Sequence, residues 1–463
     1  MPITKLGTEI LHDYQQRVLD KLNNPDLPGL IAYHSTGSGK TLTALKALQQ
    51  AHDRSGKSGL FITPASLVNN AKKELVKHNI PLTDKDLKIM SYEKAVRDID
   101  NLMQTPYGMV AFDEAHKLRN AGSLRQARLK KLIGNADKTL MLTGTAGYNN
   151  PVDIPVLAKL IDNKLRLPVT QKEFETQYLN ESGKLTHARR LADTLRPYVD
   201  VYDRPKDSGD FPSVRERVFT VPMSGKQERI YKYLEEKLPS HLRKAVHDNL
   251  PLKAKDAASL NAFATGMRQV SLSPLHHDVT AKPEDSPKLM LAAKRMVEAA
   301  KQPHFRGVAY SNYIDAGLNP YAELLRKRGI NPLVFTGGMT AAAKKALVDD
   351  YNSADKAAKV LLLSSSGGEG LDLKGTRKLQ ILEPHFNSAK IDQVKGRGAR
   401  YLSHAGLPEN ERNLDIEEYR SSLPVHWYNK LFGSQGEAID GYLAGASARK
   451  KAVIDEIKRR LRG

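Results

Sequence analysis

The sequence predicts an α/β fold with two tandem parallel-sheet lobes and a helical insertion on the second lobe. Two series of short apolar runs alternate with helix-like segments, which is typical of parallel strands joined by helices. A stretch rich in proline, glycine and charge separates the two series. The chain of 463 residues is also too long for one ordinary domain.

The strand candidates fall into two groups, each large enough for a sheet. The first group comprises GLIAYH before Ser35, GLFIT ending at Thr63, GMVAF ending at Phe112 and TLML ending at Leu142. The second group comprises GVAY ending at Tyr310, PLVFT ending at Thr336, KVLLL ending at Leu363 and KLQIL ending at Leu382. Two α/β lobes follow from this division.

Residues 203–214 (DRPKDSGDFPSV) have the composition of a linker between the lobes. From Ser224 to Leu272 the apolar pattern is helical, without a strand-like run. We therefore expect lobe one at 1–202, the linker at 203–214, a helical insertion at 215–285 and the remainder of lobe two at 286–463. The basic segment 449–462 predicts an amphipathic terminal helix that packs on lobe two.

Charge and composition favour some classes of partner and exclude several kinds of cofactor and active site. Lysine and arginine number 72 against 52 acidic residues, and the net charge of +20 favours a polyanionic partner. The absence of cysteine excludes disulfides, thiolate-bound zinc, iron–sulfur clusters and a cysteine nucleophile. With no run of about 18 apolar residues and no signal-peptide core at the start, we expect an intracellular protein without a membrane partner.

The segment HSTGSGKT, residues 34–41, predicts a phosphate-binding loop, because it follows an apolar strand and precedes a helical pattern. Its glycines let backbone N–H groups approach phosphates, Lys40 would reach the β- and γ-phosphates, and Thr41 would hold Mg²⁺. The strict pattern opens with glycine where this chain has His34, and an ordinary glycine-rich turn is the alternative. The sequence thus predicts ATP and Mg²⁺ as cofactors, bound at Ser35, Thr36, Gly37, Ser38, Gly39, Lys40 and Thr41.

The segment FDEAH, residues 112–116, ends another apolar run and places two carboxylates at a strand end. Asp113 would hold Mg²⁺ through water, and Glu114 would orient and deprotonate the attacking water. An acidic pair at a strand end is often a polar turn, but a phosphate loop upstream favours the catalytic interpretation.

The three consecutive residues His276, His277 and Asp278 predict no metal site, because adjacent side chains diverge and no second ligand pair follows.

The order of these motifs resembles that of superfamily 2 helicases and translocases through nearly the whole chain. The resemblance implies RecA-like lobes that hydrolyse ATP between them while holding nucleic acid. In HDYQQ, Gln15 beside Tyr14 matches the upstream glutamine that reads adenine in many of these ATPases. LTGTA, residues 142–146, resembles the motif that links the ATP state to lobe contact.

Two segments of the second lobe resemble family motifs that act at the nucleotide. SSSGGEGLDL, residues 364–373, resembles the fifth motif and implies nucleotide contacts by Gly370 and Asp372. QVKGRGAR, residues 393–400, resembles the sixth motif. Gln393 would then contact the γ-phosphate side of the cleft, and Arg397 and Arg400 become candidate arginine fingers, which are worth about 10³ to 10⁵ in rate.

Strand-end segments such as ITPASLVNN (62–70) and SYE (91–93) look like those that contact a nucleic-acid backbone in this family. The implied contact residues are Pro64, Ser66, Asn69, Ser91, Tyr92, Ser311, Ser364 and Ser365. Aromatic residues make up 6% of the chain, and no aromatic cluster suits the stacking of single-stranded bases, so we expect backbone tracking. Trp427, near Tyr428 and Phe432 at helical spacing, is expected to pack inward.

Several segments resemble the Swi/Snf-like branch, which translocates along duplex DNA: PASLVNNAKKEL, the TGT at 143–145, VPMSGKQERIYKYL, MRQVSLSP and SPKL. Other features are similar to poxvirus-type nucleoside triphosphatases and ATPases of large viruses and phages. They are Gly396 in QVKGRGAR, the following RYLSH, and the tail AIDGYLAGASARKKAVIDE.

Three functions remain open. The first is a DNA-stimulated ATPase that translocates on duplex DNA as a monomeric motor, with protein partners that set its pathway. The second is a strand-separating DNA or RNA helicase, supported by the DEAH sequence and the QxxGRxxR form of motif six, although TGT stands where RNA helicases commonly carry SAT. The third is a scaffold whose degenerate ATPase serves as a nucleotide switch, against which the intact catalytic residues argue.

Overall fold

The computed structural model describes residues 11–35, 37–144, 150–180, 182–203, 211–353, 357–364, 371, 373–385, 388–399, 403–424 and 438–462. The chain folds into two compact units. Unit one contains residues 1–204 and 450–463, and unit two contains residues 205–449. Each unit has its own parallel sheet and its own apolar core.

Unit one is an alternating series of helices and strands. Its elements are α1 (Asp13–Leu22), β1 (Gly29–His34), α2 (Lys40–Ser55), β2 (Ser58–Thr63), α3 (Val68–Lys77), β3 (Leu87–Ser91), α4 (Tyr92–Arg97), α5 (Ile99–Leu102), β4 (Tyr107–Asp113), α6 (Leu124–Gly134), β5 (Ala136–Thr143), α7 (Asp153–Ile161), α8 (Gln171–Tyr178), α9 (Ala188–Leu195) and β6 (Val199–Tyr202). The four strands predicted in this half are confirmed as β1, β2, β4 and β5.

The sheet of unit one has the strand order β3-β2-β4-β5-β1-β6, with every neighbouring pair parallel. Along β1, Ile31 and Tyr33 enter one core cluster while Leu30 and Ala32 enter the other, so the strand is buried on both faces. Because β5 lies between β1 and β4, the carboxyl ends of these three strands share one edge of the sheet. That edge carries the motifs predicted to bind nucleotide.

Two strands of unit one were not predicted. β3 lies at the sheet edge and is only partly buried, and β6 has only four residues, one of which is Asp200. Neither segment forms a continuous apolar run, which is why the sequence pattern did not reveal them.

Unit two also combines a parallel sheet with helices. Its elements are β7 (Ser213–Pro222), α10 (Gly225–Glu236), α11 (Ser240–His247), α12 (Ala254–Leu272), α13 (Pro287–Ala299), β8 (Arg306–Ser311), α14 (Asn319–Arg326), β9 (Leu333–Phe335), α15 (Ala341–Tyr351), β10 (Lys359–Ser364), β11 (Lys378–Ile381), α16 (Ser388–Gly398), β12 (Asn413–Ser422) and α17 (Ile439–Arg462). The strands predicted in this half are confirmed as β8, β9, β10 and β11.

The sheet of unit two has the strand order β7-β12-β11-β8-β10-β9. β7 pairs with β12 along its whole length, so the residues from 215 that the sequence assigned to a helical insertion begin as an edge strand. Most of its side chains are exposed and charged residues interrupt it, so no apolar run marked it as a strand. The predicted helical pattern from Ser224 to Leu272 is confirmed by α10, α11 and α12.

The terminal helix α17 passes into unit one at Lys450. Its apolar residues Val453, Ile457 and Leu461 join the core of that unit, and Lys458 Nζ lies 2.8 Å from an oxygen of Asp203. The prediction that segment 449–462 packs on lobe two was therefore wrong. Its apolar stripe could have docked on either unit, and sequence alone does not distinguish them.

No helix within the described ranges is long and apolar enough to cross a membrane.

Candidate nucleotide-binding site

The predicted phosphate loop connects β1 to α2 at the carboxyl edge of the first sheet. Gly37 and Gly39 have φ angles of 81° and 70°, in the left-handed region that favours glycine. A Cβ atom on Gly39 would also lie 2.7 Å from Nε2 of Gln15. Both glycines thus suit the left-handed backbone, and at Gly39 a Cβ would fit only if the side chain of Gln15 moved.

Lys40 begins helix α2, and its ammonium lies against the loop. Its Nζ donates hydrogen bonds to the carbonyl oxygens of His34 and Ser35, each at 3.1 Å. Thr41 follows in the first turn and is half-buried. The positive end of this 16-residue helix adds to the charge of Lys40, which suits the loop to hold phosphates.

One buried polar atom of the loop, Oγ of Ser38, lacks a hydrogen-bond partner within the described part of the chain. Buried polar atoms without a partner are rare in folded proteins, and they indicate a place where a polar ligand or water completes the site. The loop residues therefore fit a bound triphosphate.

Asp113 ends β4 at the same edge. One of its carboxylate oxygens accepts a hydrogen bond from Oγ1 of Thr63, and the other accepts from the backbone N–H of Glu114, both at 3.0 Å. Burial, together with the nearby charge of Glu114, raises the pKa of Asp113 to about 6, although Lys40 and these hydrogen bonds oppose the rise. A buried carboxylate of this kind gains most from a divalent cation, so the residue fits Mg²⁺.

Glu114 has a φ angle of 50°, which is uncommon for a residue with a side chain. Its Oε2 lies 3.2 Å from Nδ1 of His116, and the same nitrogen lies 3.5 Å from Oγ1 of Thr143 at the end of β5. The strained backbone of Glu114 is held by the turn that follows β4, as is common at catalytic positions. The DEAH segment thus contacts the start of the TGT segment directly.

Gln15 lies in α1 and is buried against the phosphate loop. Its Nε2 donates to the carbonyl oxygens of Ser38 and Gly39, each at 3.4 Å, and the hydroxyl of Tyr14 donates to Ser38 O at 3.1 Å. The sequence predicted that Gln15 acts at the nucleotide site, and the structure places it there. Whether it reads adenine stays a prediction.

The structure corrects several predicted nucleic-acid contacts. The side chain of Tyr92 is fully buried, and its hydroxyl donates to the backbone oxygen of Asp113 at 2.7 Å, so it supports the DEAH strand instead. Ser311 and Ser364 are also buried, so their side chains face the protein interior. A position at the end of a strand indicates which edge of the sheet a residue occupies, but it does not determine the direction of its side chain.

The remaining candidates in the first unit differ in exposure. Ser66 is exposed in the 3-10 turn before α3, Asn69 is exposed in the first turn of α3, and Pro64 is buried. Ser91 accepts a hydrogen bond from the backbone N–H of Lys94 and so caps α4. Ser66 and Asn69 are therefore the members of this group whose side chains are open to a ligand.

Several predicted residues lie outside the described residues: Thr36, the Thr145 and Ala146 of LTGTA, Ser365, Gly370, Asp372, Arg400 and Trp427. The same holds for the side chains of Gln393 and Arg397, although the backbone of both belongs to α16. Their roles stay predictions.

Sequence reasoning missed one group of residues beside the phosphate loop. Asp200 on β6 accepts hydrogen bonds from His34, Arg17 and Lys21, and Tyr202 stacks on Tyr14 with ring centroids 3.7 Å apart. Asp200 follows His34 by 166 residues, and no motif connects them. The one available signal was His34, which occupies a position where the strict loop pattern has glycine.

A phosphate loop after β1, an acidic pair on β4 and a strand between them define a RecA-like nucleoside triphosphatase. Family models match both halves of the chain, the SNF2-related domain at residues 69–275 and the helicase conserved C-terminal domain at residues 289–402. The chain belongs to the Swi/Snf-like branch of helicase superfamily 2. It is an ATP hydrolase that acts on nucleic acid.

Individual relatives span most of the chain. A protein of Acanthamoeba polyphaga mimivirus, whose name describes an ATP-dependent RNA helicase, is 29% identical over 452 residues, covering 95% of this chain and 94% of that protein. A termination factor NPH-I homolog of African swine fever virus is 23% identical over 83% of this chain and 68% of that protein. The SWI2/SNF2 ATPase core of Sulfolobus solfataricus in complex with dsDNA matches with a TM-score of 0.40 at 17% identity, covering 98% of this chain and 97% of that one.

Proposed function

We propose that the chain is a DNA-stimulated ATPase that translocates along duplex DNA by tracking its phosphate backbone. The observation that carries this proposal is the grouping at one sheet edge of the phosphate loop, the buried Asp113 and the strained Glu114. The arrangement suits ATP hydrolysis, and the choice of duplex DNA rests on the Swi/Snf-like segments of the sequence.

In the proposed reaction, Lys40 holds the β- and γ-phosphates of ATP while Thr41 and Asp113 hold Mg²⁺. Bound Mg²⁺ supplies charge neutralisation for the phosphate oxygens. Glu114 accepts the proton of the attacking water, and its contact with His116 keeps the carboxylate in place. Gln393, Arg397 and Arg400 act from lobe two on the charge that develops in the transition state.

The motor step follows from the position of these residues on two lobes. ATP gains its full set of contacts when lobe two closes on lobe one, and hydrolysis removes them. The residues between Asp203 and the start of β7 at Ser213 serve as the linker that allows this motion, with the helical segment up to 285 inserted in lobe two. Exposed Ser66 and Asn69, with the excess positive charge of the chain, contact the DNA backbone.

The chain acts as a monomeric motor inside the cell, where both ATP and nucleic acid are present. Protein partners set its pathway.

A strand-separating helicase is the second candidate. The DEAH sequence and the QxxGRxxR form of motif six favour it, and the name of the mimivirus relative describes an RNA helicase. Against RNA as the substrate stands the TGT at residues 143–145. Displacement of a strand from forked and tailed duplexes at saturating ATP would establish this alternative.

The direct test is the rate of ATP hydrolysis with duplex DNA, single-stranded DNA and RNA at equal nucleotide concentration. We expect duplex DNA to give the largest stimulation. Glu114→Gln is the matched control, because it should bind ATP without turning it over and so excludes a contaminating ATPase. Stimulation by RNA alone would reject the proposal, and ATP binding with no turnover under any condition would indicate the nucleotide-switched scaffold.

A further inference from the structure

A buried carboxylate, Asp200, joins three basic groups beside the phosphate loop. Arg17 contacts both of its oxygens, with Nε at 2.7 Å and Nη2 at 2.9 Å. Nζ of Lys21 lies 2.9 Å from Oδ1, and Nε2 of His34 lies 2.8 Å from Oδ2. The carboxylate is 1% exposed, so these groups replace nearly all of its water.

The protonation states of Asp200 and His34 keep this cluster intact at neutral pH. Burial alone would raise the pKa of Asp200, but the hydrogen bonds from His34, Arg17 and Lys21 outweigh burial and hold that pKa far below its usual range. Burial lowers the pKa of His34 despite its bond to Asp200, so the ring is neutral and donates its Nε2 hydrogen. Asp200 is therefore a fixed acceptor between two elements.

These two elements are helix α1 and the phosphate loop. Arg17 and Lys21 belong to α1, whereas His34 is the last residue of β1 and the first of the loop. The same helix contacts the other end of the loop through Tyr14 and Gln15, which donate to the carbonyl oxygens of Ser38 and Gly39. Helix α1 thus contacts the loop at both ends. At the His34 end, Asp200 links the helix to the loop.

This arrangement also explains the departure of the loop from the strict glycine pattern. The ring of His34 is fully buried and lies edge-on to Tyr14 and Tyr202, with centroids 5.8 Å and 5.7 Å away. The side chain therefore occupies the space between β1, β6 and α1 and leaves the phosphate side of the loop open. A glycine at this position would remove the attachment.

We propose that Asp200 is a positioning residue for the nucleoside triphosphate, which fixes the helix that carries Gln15 relative to the loop that holds the phosphates. The inference rests on the proposed function as an ATPase and on the prediction that Gln15 reads adenine. Asp200 touches neither base nor phosphate and acts through His34, Arg17 and Lys21. Its loss lets the base-contacting helix and the phosphate loop move independently, so ATP binds less tightly and is distinguished less well from GTP.

The test compares Asp200→Asn and Arg17→Gln with wild type, using kcat and KM for ATP and for GTP in the presence of duplex DNA. We expect KM for ATP to rise about tenfold while kcat changes less than about threefold, because positioning acts on ground-state binding. The preference for ATP over GTP in kcat/KM should fall toward that of Gln15→Ala. Arg17→Lys, which keeps the charge, should recover part of the loss.

Two controls keep the result interpretable. Arg17 is 46% exposed, so Arg17→Gln should fold even if Asp200→Asn does not. Lys57→Gln removes a basic side chain of similar exposure, which forms an ion pair with Asp137 at 2.8 Å, and should leave both KM values unchanged. Affinity for a fluorescent ATP analogue without DNA provides a readout that does not depend on motor activity.

Wild-type KM and ATP preference in both Asp200→Asn and Arg17→Gln would overturn the inference. An equal loss for ATP and GTP would also overturn it, because Asp200 would then stabilise the fold without aligning the base. If wild type binds the ATP analogue but duplex DNA does not stimulate turnover, the proposed function fails instead. In that case weaker analogue binding by Arg17→Gln would still support the role of Asp200.

Discussion

Oγ1 of Thr63 donates a hydrogen bond of 3.0 Å to the carboxylate of Asp113, so the end of β2 stabilises the charge at the end of β4. Both side chains are buried, and the charge of Lys40 and the N–H of Glu114 give this carboxylate further support. The ionised form of Asp113, which Mg²⁺ requires, therefore depends on a residue outside the DEAH sequence.

We predict that Thr63→Val shifts the pH profile of ATP hydrolysis. Removal of the donor raises the pKa of Asp113 further above about 6, so the acidic limb of kcat/KM moves to higher pH. The sign follows because protonated Asp113 cannot hold Mg²⁺. Thr83→Val removes a similar threonine–aspartate bond on an exposed loop and should leave the profile in place. An unchanged acidic limb in Thr63→Val would show that Asp113 does not limit activity there.

Gly39→Ala should weaken ATP binding, because a Cβ at this left-handed position would lie 2.7 Å from Nε2 of Gln15 and displace that side chain from the phosphate loop. Gly56→Ala is the matched control, since Gly56 has a φ of 66° but nothing within 4 Å of an added Cβ. Both changes should cost about 1 kcal/mol in the free energy of unfolding through backbone strain. Isothermal titration with ATP separates them, and equal ATP affinity in the two variants would contradict the crowding at Gly39.

Glu383→Gln should make stability less sensitive to pH. Burial raises the pKa of Glu383 to about 7, and its Oε2 has no hydrogen-bond partner within the described ranges, while Oε1 accepts from Asn312. The folded state thus binds this proton more tightly than the unfolded chain does. Its stabilising effect is complete below about pH 4 and is lost as pH rises through about 7, a change of about 3 kcal/mol.

Urea denaturation between pH 5 and pH 8.5 checks this prediction. The free energy of unfolding should fall with rising pH more steeply in wild type than in Glu383→Gln. The exposed Glu298→Gln provides a control that should follow wild type. Identical slopes in all three proteins would mean that Glu383 ionises normally.

Binding of duplex DNA should depend steeply on salt and little on sequence. If the chain contacts about six to ten phosphates, affinity should fall about 10³-fold or more between about 50 and 200 mM salt. Fluorescence anisotropy with two duplexes of unrelated sequence measures both properties. A shallow salt response, or a large difference between the duplexes, would contradict backbone tracking.

The sequence predicted the nucleotide site better than the nucleic-acid contacts, and the reason is physical. The phosphate loop and the DEAH segment are contiguous motifs on strand ends, so their residues reach one sheet edge whatever the details of packing. Tyr92 also follows a strand, but its side chain points into the core, a direction that the sequence pattern does not determine. Asp200 was missed because its partners lie far away along the chain.

Buried strands were easier to predict than elements placed by distant contacts. Strands such as β1 and β10 are continuous apolar runs, which the sequence pattern identifies directly. The edge strand β7 is charged and exposed, so its place in the sheet depends on pairing with β12, nearly 200 residues later. The docking of α17 in unit one depends likewise on tertiary contacts that periodicity does not encode.

In the proposed mechanism, ATP held by Lys40 and Asp113 in lobe one is hydrolysed with the help of arginines from lobe two. The most direct measurement is the kcat of Arg400→Ala with saturating duplex DNA, together with its affinity for ATP. We expect kcat to fall about 10³-fold or more while ATP affinity changes only severalfold, because the guanidinium acts on transition-state charge. A kcat close to that of wild type, or an equal loss in kcat and affinity, would show that Arg400 does not act on the transition state.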